Sequence, residues 1–192
     1  MERTQAKYFK PDVLNTFLNL EKPMSRAELV ARTGLGEGSM RSILNILKAK
    51  GLIQSSKRGH WATKRGLSLL RELQRQLDIL EPRSLKFPKS REILCFHIRG
   101  PVNQVPSYLL RDIAVRWGAT GALIFRFNGR QLVLPPSRRV DYNEDYSALT
   151  KGLEKEDHLA LLWGEHKPSL VSGGLEIASV LSPAVGSISG RL

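Results

Sequence analysis

The chain has 192 residues, enough for one or two compact domains. Its 41% hydrophobic and 25% charged residues are globular values that exclude wholesale disorder, and no apolar run reaches the roughly 18–20 residues of a membrane span. One cysteine excludes an internal disulfide framework and a multi-cysteine zinc site. The segment MERTQAKYFKPDVL has no apolar signal region, so a reduced, cytoplasmic setting with no membrane partner is expected.

The charge is uneven. The net value is +12. Residues 1–91 hold 19 Lys/Arg against 8 Asp/Glu, and residues 92–192 hold 11 against 10. A general habit of basic surface would spread the excess along the chain. A localised positive field instead draws polyanions and speeds their arrival.

The first helix is expected from Asp12 to Leu20, with Pro11 in its first turn. Ser25 and Glu28 have capping-box spacing before a short helix that ends at Gly34. Leu35-Gly36-Glu37-Gly38 reads as a tight turn. Gly34-Leu35-Gly36-Glu37-Gly38 also looks like the start of a dinucleotide fingerprint, but a helix precedes it, not a strand, so the turn reading is preferred. A third helix is expected from about Ser39 to Lys50, stopped by Gly51. At 100° per residue, Met40, Ile43, Leu44 and Leu47 share one face, and Arg41, Ser42, Asn45 and Lys48 the opposite one. Two short helices joined by a Gly-containing turn fit a helix-turn-helix, whose second helix enters the major groove. Arg and Lys pair with guanine or phosphate there, and Asn with adenine. Any amphipathic helix also has a solvated polar face.

Leu52–Ser56 reads as a short strand, Lys57-Arg58-Gly59-His60 as a basic turn and Trp61-Ala62 as the returning strand. Thr63 caps a helix expected to run from Lys64 to about Leu80. Its Leu70, Leu73, Leu77 and Leu80 have two-heptad spacing, which suits either packing within the domain or pairing of two chains.

On the segments SRAELVARTGLGEGSMRSILNILKAKGLI and SSKRGHWATKRGLSLL, residues 8–75 resemble a winged-helix DNA-binding domain. The style is that of archaeal and bacterial MarR- or ArsR-like regulators. The resemblance implies groove contacts from Ser39, Arg41, Ser42, Asn45 and Lys48. It implies wing contacts from Lys57, Arg58 and His60. Some winged helices bind protein instead.

Glu81–Arg91 reads as a basic, proline-punctuated linker. Beyond it, strands are expected at 93–98, 122–127, 131–134 and 159–163, with Asn128-Gly129 as a hairpin turn. Helices are expected at 106–117, 143–153 and 168–178, the last weakened by Gly173-Gly174. The order is that of an α/β sandwich, ferredoxin-like (βαββαβ) with an extra helix, although order alone admits other sandwiches. The fold class is therefore α+β. The expected divisions are 1–80, the linker 81–91, an α/β sensor or dimerisation domain at 92–182, and a flexible tail at 183–192. The motifs LLRDIAVRWGATGALIF and NGRQLVLPP are similar to the C-terminal part of uncharacterised archaeal winged-helix proteins, which implies no known ligand.

No P-loop, HExxH or G-x-S-x-G is present, so no enzyme is expected. Cys95 and His97 share a strand face, and His158 approaches them if the last strand lies beside the first. Core packing is the commoner role of a lone strand cysteine, so no metal or cofactor is expected. Arg111, Asp112 and Arg116 on one helix, with Trp163 and Glu165 at a strand's C-terminal end, are the candidates for a ligand pocket, against a solvated or salt-bridged surface. These readings together predict a DNA-binding transcriptional regulator. Its partners would be double-stranded DNA, a small effector and a second copy of the chain. The alternatives are a bifunctional enzyme, which needs convergent titratable groups, and a protein-interaction module, which needs Arg41 and Lys48 covered by a partner.

Overall fold

The computed structural model describes residues 8–82, 85, 88–134 and 146–192, with backbone alone at 147. They form two compact units. One comprises residues up to Leu73 together with Ile188–Leu192, and the other Gln74–Ser187.

The first unit begins with helices α1 (Lys10–Leu18), α2 (Arg26–Thr33) and α3 (Glu37–Ala49). The capping box forms as its spacing predicts: the Glu28 N–H donates to Ser25 Oγ at 3.2 Å, and the Ser25 N–H donates to the Glu28 carboxylate at 2.8 Å. Helix α3 starts two residues earlier than expected, because Gly36 serves as its N-cap and Glu37 and Gly38 join its first turn. Its apolar face is fully committed to the core: Met40, Ile43, Leu44 and Leu47 are buried with Leu14, Phe17 and Leu29.

Strands β1 (Ile53–Ser56) and β2 (Gly59–Ala62) form an antiparallel hairpin, with Ser56 opposite Gly59. The turn is therefore only Lys57-Arg58. Gly59 has φ 113, and a side chain there would meet the Met24 carbonyl at 2.5 Å. That close approach admits a bridge the sequence did not reveal. Met24 and His60 exchange backbone hydrogen bonds of 2.9 and 2.8 Å, so a third short segment joins the hairpin. Thr63 Oγ1 accepts the Gly66 N–H at 3.1 Å at the start of α4 (Lys64–Gln76).

Helix α4 does not continue to Leu80. The chain passes directly into strand β3 (Leu77–Leu80), which pairs antiparallel with β4 (Glu92–Ile98). The leucine seam is thus divided: Leu70 and Leu73 are helical and buried, Leu77 is a buried strand residue, and Leu80 is 41% exposed. The boundary expected at 80 moves into α4, and the helix expected over 64–80 ends at Gln76.

The second unit continues with α5 (Ser107–Arg116), β5 (Gly121–Phe127), β6 (Leu132–Val133), β7 (His158–Gly164), α6 (Lys167–Leu181) and α7 (Pro183–Arg191), the last crossing back into the first unit. The fold is α+β, as expected. Its five strands are antiparallel neighbours in the order β3-β4-β7-β5-β6. In a ferredoxin-like sheet β6 would fill the gap between β4 and β5. Here β7 fills it, β6 is an edge, and β3 extends the other side. The Asn128 hairpin closes through four residues, with Asn128 Oδ1 accepting the N–H groups of Arg130 and Gln131, both at 2.9 Å.

Helices α5 and α6 pack together on one sheet face. Gly173 and Gly174 do not weaken α6; they let it approach the sheet, since a Cβ on Gly174 would lie 2.1 Å from the Phe96 ring. The opposite face gathers Cys95, Phe125, Tyr146, Leu149, Leu159 and Leu161. The helix expected at 143–153 is reduced to a single 3-10 turn at Ser147–Leu149, and residues 143–145 lie outside the described residues. Four of the eleven positions expected as linker, 83–84 and 86–87, also lie outside them. The expected tail is helix α7, whose Val185 and Ile188 are buried at helical spacing. Among the described residues no single helix is long and apolar enough to cross a membrane.

Candidate functional site

The basic candidates lie on one small unit. Arg41, Asn45 and Lys48 project from α3 and are exposed, because the helix turns its apolar stripe inward. Lys57 and Arg58 are exposed at the hairpin turn. Arg41, Lys48, Lys57 and Arg58 have no ion-pair partner among the described residues. Arg26 pairs with Glu37 at 2.6 Å and so ties the start of α2 to the start of α3. Ser39 and Ser42 are half-buried, and the Ser42 hydroxyl donates to the Gly38 carbonyl within the helix at 3.1 Å.

His60 is not at the turn. It faces Ser55 across β1 and β2, with Nδ1 hydrogen-bonded to Ser55 Oγ at 2.7 Å. Burial lowers its pKa, and the nearby Lys48 and Arg26 charges lower it further. His60 therefore does not add a cation at neutral pH, but its surroundings show that α2, α3 and β2 bring positive charge to one place.

The ligand candidates of the second unit do not converge. Arg111, Asp112 and Glu165 are exposed. Arg116 and the Trp117 Nε1–H both engage Glu176, which ties α5 to α6. Trp163 lies over its cross-strand partner Gly121, where a Cβ would come within 2.4 Å of the indole. None of the five lines an open cleft of about 760 Å³ in this unit, whose ionisable groups are Arg126, Glu156 and His158. These three lack any motif spacing; only the pairing of β5 with β7 unites them.

The Cys95/His97/His158 metal site is also dismantled by register. Cys95 and His97 face one side of the sheet, while His158 pairs with Ile98 and faces the other. No group of three or more His, Cys, Asp or Glu suited to a metal occurs among the described residues. Cys95 is core, and burial pushes its thiol pKa up to about 12. His97 instead donates from Nε2 to Asp157 Oδ2 at 2.6 Å, and both side chains are buried. The same oxygen accepts the Glu154 N–H at 2.9 Å. Asp157→Ala strands both donors, so a loss of about 3 kcal/mol is expected in urea denaturation. A loss under about 1 kcal/mol would mean that water replaces the carboxylate freely.

Comparison with known proteins agrees with this two-unit division. Residues 11–68 match the family described as PH0730-like, N-terminal domain. Residues 89–181 match a domain of unknown function, DUF4443. No curated protein is significantly similar to the chain. The solved structure of the hypothetical protein PH0730 from Pyrococcus horikoshii OT3 superposes with a TM-score of 0.74 at 23% identity, covering 95% of this chain and 100% of that one. At that identity the likeness shows the fold alone. In both halves, then, the chain is similar to an archaeal two-domain protein, a PH0730-like N-terminal domain followed by DUF4443.

Proposed function

We propose that the chain is a DNA-binding transcriptional regulator whose first unit docks α3 in the major groove of duplex DNA. The observation that carries this is the set of exposed, unpaired cations Arg41 and Lys48 on α3 and Lys57 and Arg58 at the hairpin turn. Asn45 stands among them on the same exposed helix face, suited to an adenine edge. The hairpin turn supplies phosphate contacts beside the groove. The second unit senses a small molecule or pairs protomers. Effector binding then changes operator affinity only as far as the effector distinguishes the bound and free arrangements. Two copies on a two-fold site would give one short recognition helix sufficient affinity. Helix α4 no longer supplies the seam for that pairing, since Leu77 and Leu80 belong to a strand.

Electrophoretic mobility shift with random duplex DNA at rising salt tests the reading. Binding should weaken steeply, by about a hundredfold or more between 50 and 200 mM salt if four or more phosphates are neutralised. Absent or salt-insensitive binding would overturn it.

A further inference from the structure

The DNA contacts proposed above all belong to the first unit, whereas this cleft belongs wholly to the second. Its volume of about 760 Å³ lies within the range of small-molecule sites. Among the described residues its apolar wall includes Leu110, Ile124, Val133 and Leu181, on the helix side of the sheet, and the segment 101–106 lines it as well. Asn103, Gln104 and Ser107 add uncharged polar groups, and the three ionisable groups are close together. Arg126 and His158 are cross-strand partners on β5 and β7, and Glu156 stands two residues before His158.

Three features of this group go beyond ordinary surface polarity. First, the Arg126 guanidinium and the Glu156 carboxylate lie 3.2 Å apart and are 40% and 53% exposed, so one positive and one negative charge sit side by side at the rim. Second, His158 is buried to 8% and its Nδ1–H donates to the Glu156 carbonyl at 2.9 Å. Burial lowers its pKa and keeps the ring neutral, so Nε2 is an acceptor with no protein partner among the described residues. Third, Glu156 has φ 76, a conformation that favours glycine. The bonds from the Glu156 N–H to the Phe127 carbonyl (2.8 Å) and from the Phe127 N–H to the Asp157 carbonyl (2.7 Å) hold it there. Strained non-glycine residues of this kind cluster at ligand sites, and this one sets a carboxylate beside an arginine.

We propose that the cleft binds a zwitterion with an apolar side chain, an amino acid or a short peptide. Its carboxylate meets Arg126, its ammonium meets Glu156 and His158 Nε2, and its side chain rests against Leu110, Ile124 and Leu181. A simple anion would face Glu156 and a simple cation would face Arg126. A ligand carrying both charges finds an opposite charge for each and leaves none uncompensated.

Isothermal titration of the full chain without DNA tests this apart from the regulatory reading. The probes are L-leucine, L-phenylalanine and leucyl-leucine, with 4-methylpentanoate and isopentylamine as analogues lacking the ammonium or the carboxylate. At least one zwitterion should saturate, each analogue binding about tenfold or more weaker. The amino-acid and dipeptide arms decide which source fits. Arg126→Gln should weaken the zwitterion about tenfold and leave isopentylamine unchanged. Glu156→Gly relieves the backbone, so it should unfold no earlier than the parent on heating yet lose preference for the zwitterion over 4-methylpentanoate. Failure of every zwitterion to saturate by millimolar concentration, or equal binding of 4-methylpentanoate and leucine by the parent chain, would overturn the proposal.

Discussion

Gly174→Ala is expected to cost about 3 kcal/mol or more, against about 1 kcal/mol for Gly173→Ala one position earlier. The difference lies in what each new methyl group meets. At Gly174 it would fall 2.1 Å from two carbons of Phe96, a fully buried ring in the second strand of a five-stranded sheet. The ring has no room to retreat, so α6 must lift away from β4. At Gly173 the nearest atom is the Trp117 Cβ at 3.1 Å, on a side chain that is itself half-exposed. Urea denaturation followed by far-UV circular dichroism measures both. Equal midpoints for the two variants would show that α6 is not seated through these glycines.

The second large effect is on DNA affinity. Replacing Arg41, Lys48 and Lys57 together by Ala should lower affinity for random duplex about a thousandfold at low salt and reduce the salt slope by about 3. All three side chains are exposed, so stability should change by no more than about 0.5 kcal/mol each. A charge-matched variant in the other unit, Arg111, Lys151 and Lys155 to Ala, separates a local interface from net charge. It should retain most of the affinity, since those cations belong to the second unit and not to α3 or the hairpin turn. If both triple variants lose affinity equally, attraction is general and α3 has no privileged role. Arg41→Ala alone should lower affinity more for a preferred sequence than for random DNA if Arg41 reads a base edge. An equal loss reduces it to a phosphate contact.

Local chemistry was legible in the sequence wherever it acts over three or four residues. Ser25 and Glu28 close their capping box, Gly51 follows α3, and Asn128 organises its hairpin, each through contacts within the same short stretch. The misreadings occur where distant segments decide. Leu70, Leu73, Leu77 and Leu80 satisfy a helical period, but Leu77 and Ile79 also alternate, and pairing with β4 selects the strand. Gly173-Gly174 carries an intrinsic penalty in a helix, yet the Phe96 ring leaves no room for a Cβ at 174 and Trp117 crowds one at 173. Val185 and Ile188 stand among small polar residues, and burial rather than propensity forms α7. The basic face was legible because α3 is amphipathic and the hairpin turn is local. The cleft was not, because Arg126, Glu156 and His158 come together through a strand insertion that no short motif encodes.

The last of these helices also bears on how the protein is made. Ile188, fully buried, belongs to the same compact unit as the helices near residues 10–49, yet all of the second unit is translated between them. A ribosome-bound chain that has released residues 8–73 therefore holds that unit with a gap still to be filled. Its final consolidation, with Arg191 reaching Glu72 at 2.6 Å, waits until the intervening sheet has been synthesised.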